Sequence, residues 1–155
     1  MSIPTPPPYP ASPEPLLSEP YYGASIGVAF SRFWKKYATF SGRASRSEYW
    51  WWELIYFIFG IILEILLAST GVYAAVASGS TYLGPGYFVV VGVAWIVGLA
   101  TLVPTLALTW RRLHDTNRSG GFYFIGFIPL VGWIILLVFV ASASNPAGAR
   151  FDEPR

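Results

Sequence analysis

Three apolar runs organise this chain from residue 49 onward, at about residues 49–69, 87–109 and 122–142. Each reaches the ~20 residues that an α-helix needs to cross a ~30 Å hydrocarbon layer. None alternates polar and apolar side chains at period two, which argues against transmembrane strands. Ahead of them, residues 25–40 place Ile26, Phe30, Phe33 and Tyr37 at helical spacing, with Arg32, Lys35 and Lys36 close by. An aromatic stripe beside cations predicts an amphipathic helix lying in the headgroup layer. A soluble helix packed on the ends of the spans is the competing reading, and it puts the same residues at the same surface.

Residues 1–24 hold eight prolines. That density blocks helix and sheet and predicts a disordered or polyproline II tail. Pro6-Pro7-Pro8-Tyr9 has the PPxY form that docks on aromatic grooves, although so short a pattern recurs by chance in low-complexity chain. The expected class is an all-α integral membrane protein. Its parts are a disordered Pro-rich tail (1–24), a domain at 25–142 with an interfacial amphipathic helix and three transmembrane helices, and a short C-terminal tail (143–155).

The polar segments between the runs differ in charge. Residues 70–86 carry none, whereas Arg32, Lys35, Lys36, Arg43 and Arg46 precede the first run and Arg111, Arg112 and Arg118 separate the second from the third. Because translocating cations is disfavoured, the basic segments belong on the cytoplasmic side and the neutral loop outside. Three crossings from a cytoplasmic N-terminus then put the C-terminus outside.

Composition narrows the class further. Of 155 residues, 54% are hydrophobic and 12% charged, with mean hydropathy +0.50; a soluble domain carries roughly a quarter charged residues. A chain this short cannot hide so much apolar surface in one core. The net charge of +2 is too small to point to nucleic acid. With no cysteine, disulfides, thiolate catalysis and common zinc fingers are excluded. One histidine makes a metal centre improbable, and no cofactor is expected. The first residues have neither a basic nor an apolar signal region, so insertion is expected to rely on the first span.

The candidate chemistry lies in two polar blocks and one span. At the start of the first run, Gly42 breaks the preceding helix, Ser45 or Ser47 suits an N-cap, and Trp50, Trp51 and Trp52 suit an interfacial belt. Arg43 and Arg46 sit where phosphate headgroups lie, either as a specific anion site or as an ordinary positive-inside anchor. Glu53 and Glu64 are 11 residues apart, on one helix face; each either faces a protein interior or snorkels to water. Glu64, with no cation nearby in sequence, is the better candidate for a neutral acid. Gly92, Gly98 and Pro104 in the second run, and Gly126, Pro129 and Gly132 in the third, suit kinks and close packing.

Residues 108–121 form a polar island between the second and third runs. Asp115 is spaced to pair with Arg111 or Arg112, and Gly120 and Gly121 suit a tight reversal. His114 beside Asp115 invites a general-base reading, but no nucleophile matches it, and a salt-bridge cluster competes. The topology puts Arg43, Arg46, Glu48, Arg111, Arg112, His114, Asp115 and Arg118 on one surface, with Glu48 and Asp115 as the arginines' natural partners.

The blocks FSGRASRSEYW at 40–50 and RRLHDTNRSGG at 111–121, followed by IPLVGWIILL at 128–137, resemble the bacterial inner-membrane family called domain of unknown function 805, the YhaH/YhaI-like proteins. The resemblance covers about residues 28–142 and leaves the Pro-rich extension outside it. That extension looks like tails on membrane proteins of high-GC Gram-positive bacteria. Members end in an Asn-Arg-Phe-Gly-like segment, which NPAGARFDEP at 145–154 matches loosely. The resemblance implies a multi-pass protein of the cytoplasmic membrane and carries no assigned activity. The leading expectation is a non-enzymatic scaffold whose Arg-rich cytoplasmic face contacts anionic lipid or another protein. An oligomeric transporter or channel using Glu53 and Glu64 is the alternative, and a lipid-active enzyme using His114 and Asp115 the third. Expected partners are membrane lipids and a membrane protein or second copy, with no nucleic acid.

Overall fold

The computed structural model describes residues 15–17 and 19–152; among these there are helices and connections but no strand. The first helix, α1 (Ile26–Lys35), starts at Ser25, whose side chain accepts from the Val28 N–H. It is shorter than the expected 25–40 because Lys36 already leaves helical geometry (φ −101, ψ 34). Next, α2 (Arg46–Ser69) begins with a capping box: Ser45 accepts from the Glu48 N–H, and the Glu48 carboxylate accepts from the Ser45 N–H. Two orphan donors of the first turn are thereby satisfied. A six-residue helix, α3 (Val72–Ala77), lies in the uncharged loop. The longest element, α4 (Pro85–Asp115), runs through Pro104 without a break.

Both α2 and α4 are long and apolar enough to cross a membrane, with mean hydropathy 1.9 and 2.2 over their most apolar windows. The 31 residues of α4 span about 46 Å at ~1.5 Å each, so one end projects beyond a ~30 Å core. That end carries Arg111 to Asp115. Along most of both helices large apolar side chains face outward, Phe57, Ile65, Trp95 and Ile96 among them. The buried core sits at the polar end, where Phe33, Tyr49, Trp52, Leu108, Leu113, Leu136 and Val140 pack together. Phe33 and Trp52 stack with centroids 3.3 Å apart, fixing α1 against α2.

The third apolar run differs from the expected span at 122–142. Gly120–Phe127 is a 3₁₀ helix, Leu130 turns the chain at φ 61, and α5 covers Val131–Ala141. Pro129 has no N–H to continue a helical ladder. The 11 residues of α5 cover about 16 Å, half of what a crossing needs. The run doubles back on itself. A Cβ at Gly132 would lie 1.9 Å from the Ile125 carbonyl oxygen, so glycine permits the two arms to meet. Gly132→Ala is therefore expected to cost about 3 kcal/mol or more, read as a lower melting temperature in detergent. Gly126→Ala, whose Cβ would meet only the end of the Leu136 side chain at 3.2 Å, should cost clearly less. Equal losses would contradict this packing.

The fold-back decides where the tail goes. The Asn145 N–H donates to the Asp115 carbonyl (2.8 Å) and the Gly42 N–H to the Phe151 carbonyl (2.9 Å), with a second 3₁₀ helix, Pro146–Phe151, between them. Residues 142–152 thus lie at the same end of α2 and α4 as Gly42. The expectation puts the tail on the side opposite the segment before the first span; here the two segments meet at one end of the helix pair. Residues 15–17 and 19–24 are tied to α1 and α2 by hydrogen bonds: Tyr21 N–H donates to Glu48 and Ala24 N–H to Ser47. Arg32 takes the carbonyls of Pro15, Leu16 and Glu19, acceptors that proline-rich chain leaves free of secondary structure. The rest of the Pro-rich tail, including Pro6 to Tyr9, lies outside the described residues.

Candidate functional site at the polar end of the helix pair

Two buried carboxylates anchor this end. The first is Glu48, at the third position of α2, where the capping box already fixes its rotamer. Oε2 accepts from the backbone N–H of Tyr21 and of Ser45, and Oε1 from Arg32 Nε at 2.6 Å. Lys36 Nζ stands 4.0 Å away. One carboxylate therefore faces the cations of α1, and buried Arg111 on α4 adds a third to the same field. Arg111 Nε donates to the Ala107 carbonyl (3.1 Å), while its Nη2 and Lys36 Nζ are buried without a hydrogen-bond partner. Burial among like charges pushes the Lys36 ammonium down to about 7 despite the attraction of Glu48.

The second is Asp115, in the last turn of α4, fully buried together with Arg112. Arg112 Nη1 donates to Asp115 one turn away and to the Ala44 carbonyl (3.4 Å). Its Nε donates to the Val140 carbonyl (2.8 Å), and Nη2 to Ser142. Asp115 also accepts from the Tyr22 hydroxyl (2.9 Å) and from Ser144. One ion pair thus ties together the N-terminal segment, the start of α2, the end of α4 and the end of the hairpin.

The other expected residues divide. Arg43 pairs with Asp152 through Nε and Nη2, the closest contact being 2.7 Å. Arg46 is exposed and gives one bond, from Nε to the Ser142 carbonyl at 3.0 Å. Arg118 lies over the Phe139 ring, 4.1 Å from its centroid. His114 does not meet Asp115. Its Nδ1 lies 3.1 Å from the Gly42 carbonyl, which can only accept, so Nδ1 carries the hydrogen. Its ring stacks on Phe151 at 4.0 Å, and burial pushes the imidazole below its ordinary value. Glu64 accepts from the Tyr73 hydroxyl of α3, far from the polar end, while half-buried Glu53 neighbours Tyr49. The two carboxylates of the span do not converge on a common site.

The reversal after α4 rests on Asn117 rather than on the glycine pair. Asn117 takes φ 60, with Asn117 N–H to the His114 carbonyl and Arg118 N–H to the Leu113 carbonyl, the double bond of a Schellman cap. Gly120 is needed for another reason: a Cβ there would lie 2.0 Å from the Trp110 ring. Arg32, Lys36, Tyr22, Ser144, Phe151 and Asp152 join the network without having been singled out as part of it. Their partners are separated by up to 109 residues, and no local pattern reports such pairs.

Residues 37–153 match the model of a family described as protein of unknown function DUF805. The chain belongs to this family. Inner membrane protein YhaI of Escherichia coli K12 is 38% identical over 122 residues, covering 78% of this chain and 90% of YhaI. Inner membrane protein YhaH of the same strain is 35% identical over 117 residues, covering 76% of this chain and 87% of YhaH. The uncharacterized protein YiiR is 29% identical over 98 residues. No solved structure matches. The family match includes the C-terminal segment that closes on Gly42 and Arg43, and it begins after α1, so Arg32 and Lys36 lie before the matched region.

Proposed function

We propose that this protein is a non-enzymatic scaffold of the bacterial cytoplasmic membrane, whose cytoplasmic polar end contacts anionic lipid and a membrane-protein partner or second copy. The observation that carries it is how the polar groups are used. Arg112, Asp115, Glu48 and Arg32 are buried in fixed mutual bonds, so the end of the helix pair is a rigid polar plate. His114 and Asp115 point to different partners, which takes away the geometry that a lipid-active enzyme would use. Glu53 and Glu64 lie apart, which weakens the transporter reading. YhaI and YhaH are inner membrane proteins by name, which supports the same location here.

All Lys and Arg among the described residues lie at this one end, and the opposite loop is uncharged. By the positive-inside preference the polar end is cytoplasmic. With the third run folded back, α2 and α4 are the two crossings, and residues 15–17, 19–24 and 142–152 share the cytoplasmic side. The lack of native cysteine makes the test direct. Ser78→Cys should label from outside, whereas Asn117→Cys and Ala147→Cys should label only after permeabilisation. A thiol-linked photocrosslinker at 117 or 147 in native membranes should give a discrete protein adduct that position 78 does not. Outside labelling at 147 would restore the third crossing, and adducts equal at all positions would sink the scaffold reading.

A further inference from the structure

Two adjoining hollows meet at Arg46 and Ser47 on the outer face of α2. One, of about 330 Å³, is walled by Trp50, Trp51 and Leu54. The other, of about 270 Å³, is lined by Tyr22, Gly23, Ser45 and Ser144. The first has apolar rings and a leucine; the second has hydroxyls and small residues. Arg46 stands where they join. Its Nε is anchored on the Ser142 carbonyl at 3.0 Å, which leaves the Nη edge of the guanidinium unengaged. Among the described residues no carboxylate lies within ion-pair distance of it, whereas Arg32, Arg43 and Arg112 have Glu48, Asp152 and Asp115.

Below Arg46 the helix continues the pattern. Trp50, Leu54, Ile58 and Ile62 follow at four-residue steps, all exposed, and such steps put them on one face. The stripe therefore runs from a free cation through an interfacial indole to aliphatic side chains along the membrane normal. That is the polarity profile of a phospholipid, read from phosphate to acyl chain. The polar hollow favours a negative headgroup over a zwitterionic one. Asp115 lies behind it, but its oxygens are taken by Arg112, Tyr22 and Ser144, so a choline or ethanolamine cation would meet a guanidinium and find no free carboxylate.

We propose that this groove binds one anionic phospholipid with a polyol headgroup: the phosphate on the Arg46 Nη edge, the headgroup over the hydroxyl-lined hollow, and one chain along Trp50, Leu54 and Ile58. A planar guanidinium fork matches the phosphate oxygens. The assignment rests on the reading that this end of the protein contacts anionic lipid, and it names the residue and lipid class.

The test uses the full chain in detergent, titrated with phosphatidylglycerol or phosphatidylcholine of identical acyl chains, with retained lipid counted by native mass spectrometry. The wild type should prefer phosphatidylglycerol by about tenfold, or ~1.4 kcal/mol, because both lipids offer the phosphate but only phosphatidylcholine brings a cation against the Arg46 guanidinium. Arg46→Gln should reduce the preference to within about twofold; its single bond is to a backbone carbonyl at the surface, so the fold should survive. Trp50→Ala should weaken both lipids and leave their ratio, and Lys35→Gln, an exposed cation of α1, should change neither. A preference that survives Arg46→Gln, or is lost equally in Lys35→Gln, overturns this site while leaving the broader anionic-lipid reading. A wild type with no preference overturns both.

Discussion

Arg112→Met is expected to remove about 3–5 kcal/mol of stability, because it leaves the Asp115 carboxylate buried without its cation. The same change also frees the carbonyls of Ala44 and Val140 and leaves that of Ser142 with the Arg46 bond alone. The hairpin would then lose the one side chain that bonds both Val140 and α2's start to the end of α4, and keep the tail's backbone bonds, apolar packing and the weaker contacts of Arg46, Arg118 and Ser144. The loss should appear as a melting temperature lower by on the order of 10 °C and as proteolytic cleavage after residue 117. Arg112→Lys should rescue little, since one ammonium cannot reach acceptors spread around a planar fork. Removing both charges, as Arg112→Met with Asp115→Leu, should recover part of the loss, because no unpaired carboxylate remains. If Arg112→Met melts with the wild type, this pair does not hold the polar end together.

Glu48→Gln should be nearly as damaging, at about 3 kcal/mol near neutral pH. The change keeps the side chain's shape but takes away the carboxylate that Arg32 and Lys36 share in front of Arg111. Its size should depend on pH in a defined direction. The ordinary Lys value is 10.5, and burial brings Lys36 down to about 7 in the folded protein. Between those values the unfolded chain binds more protons, so wild-type stability rises as pH increases from about 7 toward 10.5. Below about 7 the ammonium is charged in both states and the cost of burying it is fully present. Glu48 offsets that cost only while Lys36 is charged, so the Glu48→Gln defect should be larger at pH 6 than at pH 9. Melting in detergent at the two pH values checks this; a defect that grows with pH would contradict the assignment.

The features legible in the sequence are those set by neighbours within a turn or two. Ser45 and Glu48 stand at capping-box spacing, and Asp115 stands three residues from Arg112; both contacts are built in helical geometry. The lengths of the runs at 49–69 and 87–109 announced α2 and α4. The basic blocks at 43–46 and 111–118 meet because each lies at the same end of a long helix. By contrast, Arg32 with Glu48, Arg43 with Asp152 and Tyr22 with Asp115 are 16, 109 and 93 residues apart. Each arginine had several carboxylates to choose from, and only packing of α1, the tail and the N-terminal segment selected one.

The sequence by itself determined that this chain is helical, apolar enough for lipid, and polar in two blocks destined for one surface, because hydropathy, capping and helical spacing are local quantities. It also carried the family resemblance at those blocks. Only the tertiary structure decided the path of the third run. Residues 122–142 are equally apolar as a straight helix or as a hairpin, so composition cannot separate the two. The choice falls to Pro129, to Gly132 closing against Ile125, and to Arg112, whose guanidinium captures the carbonyls of Val140 and Ser142 and brings the tail back to the end from which the run began.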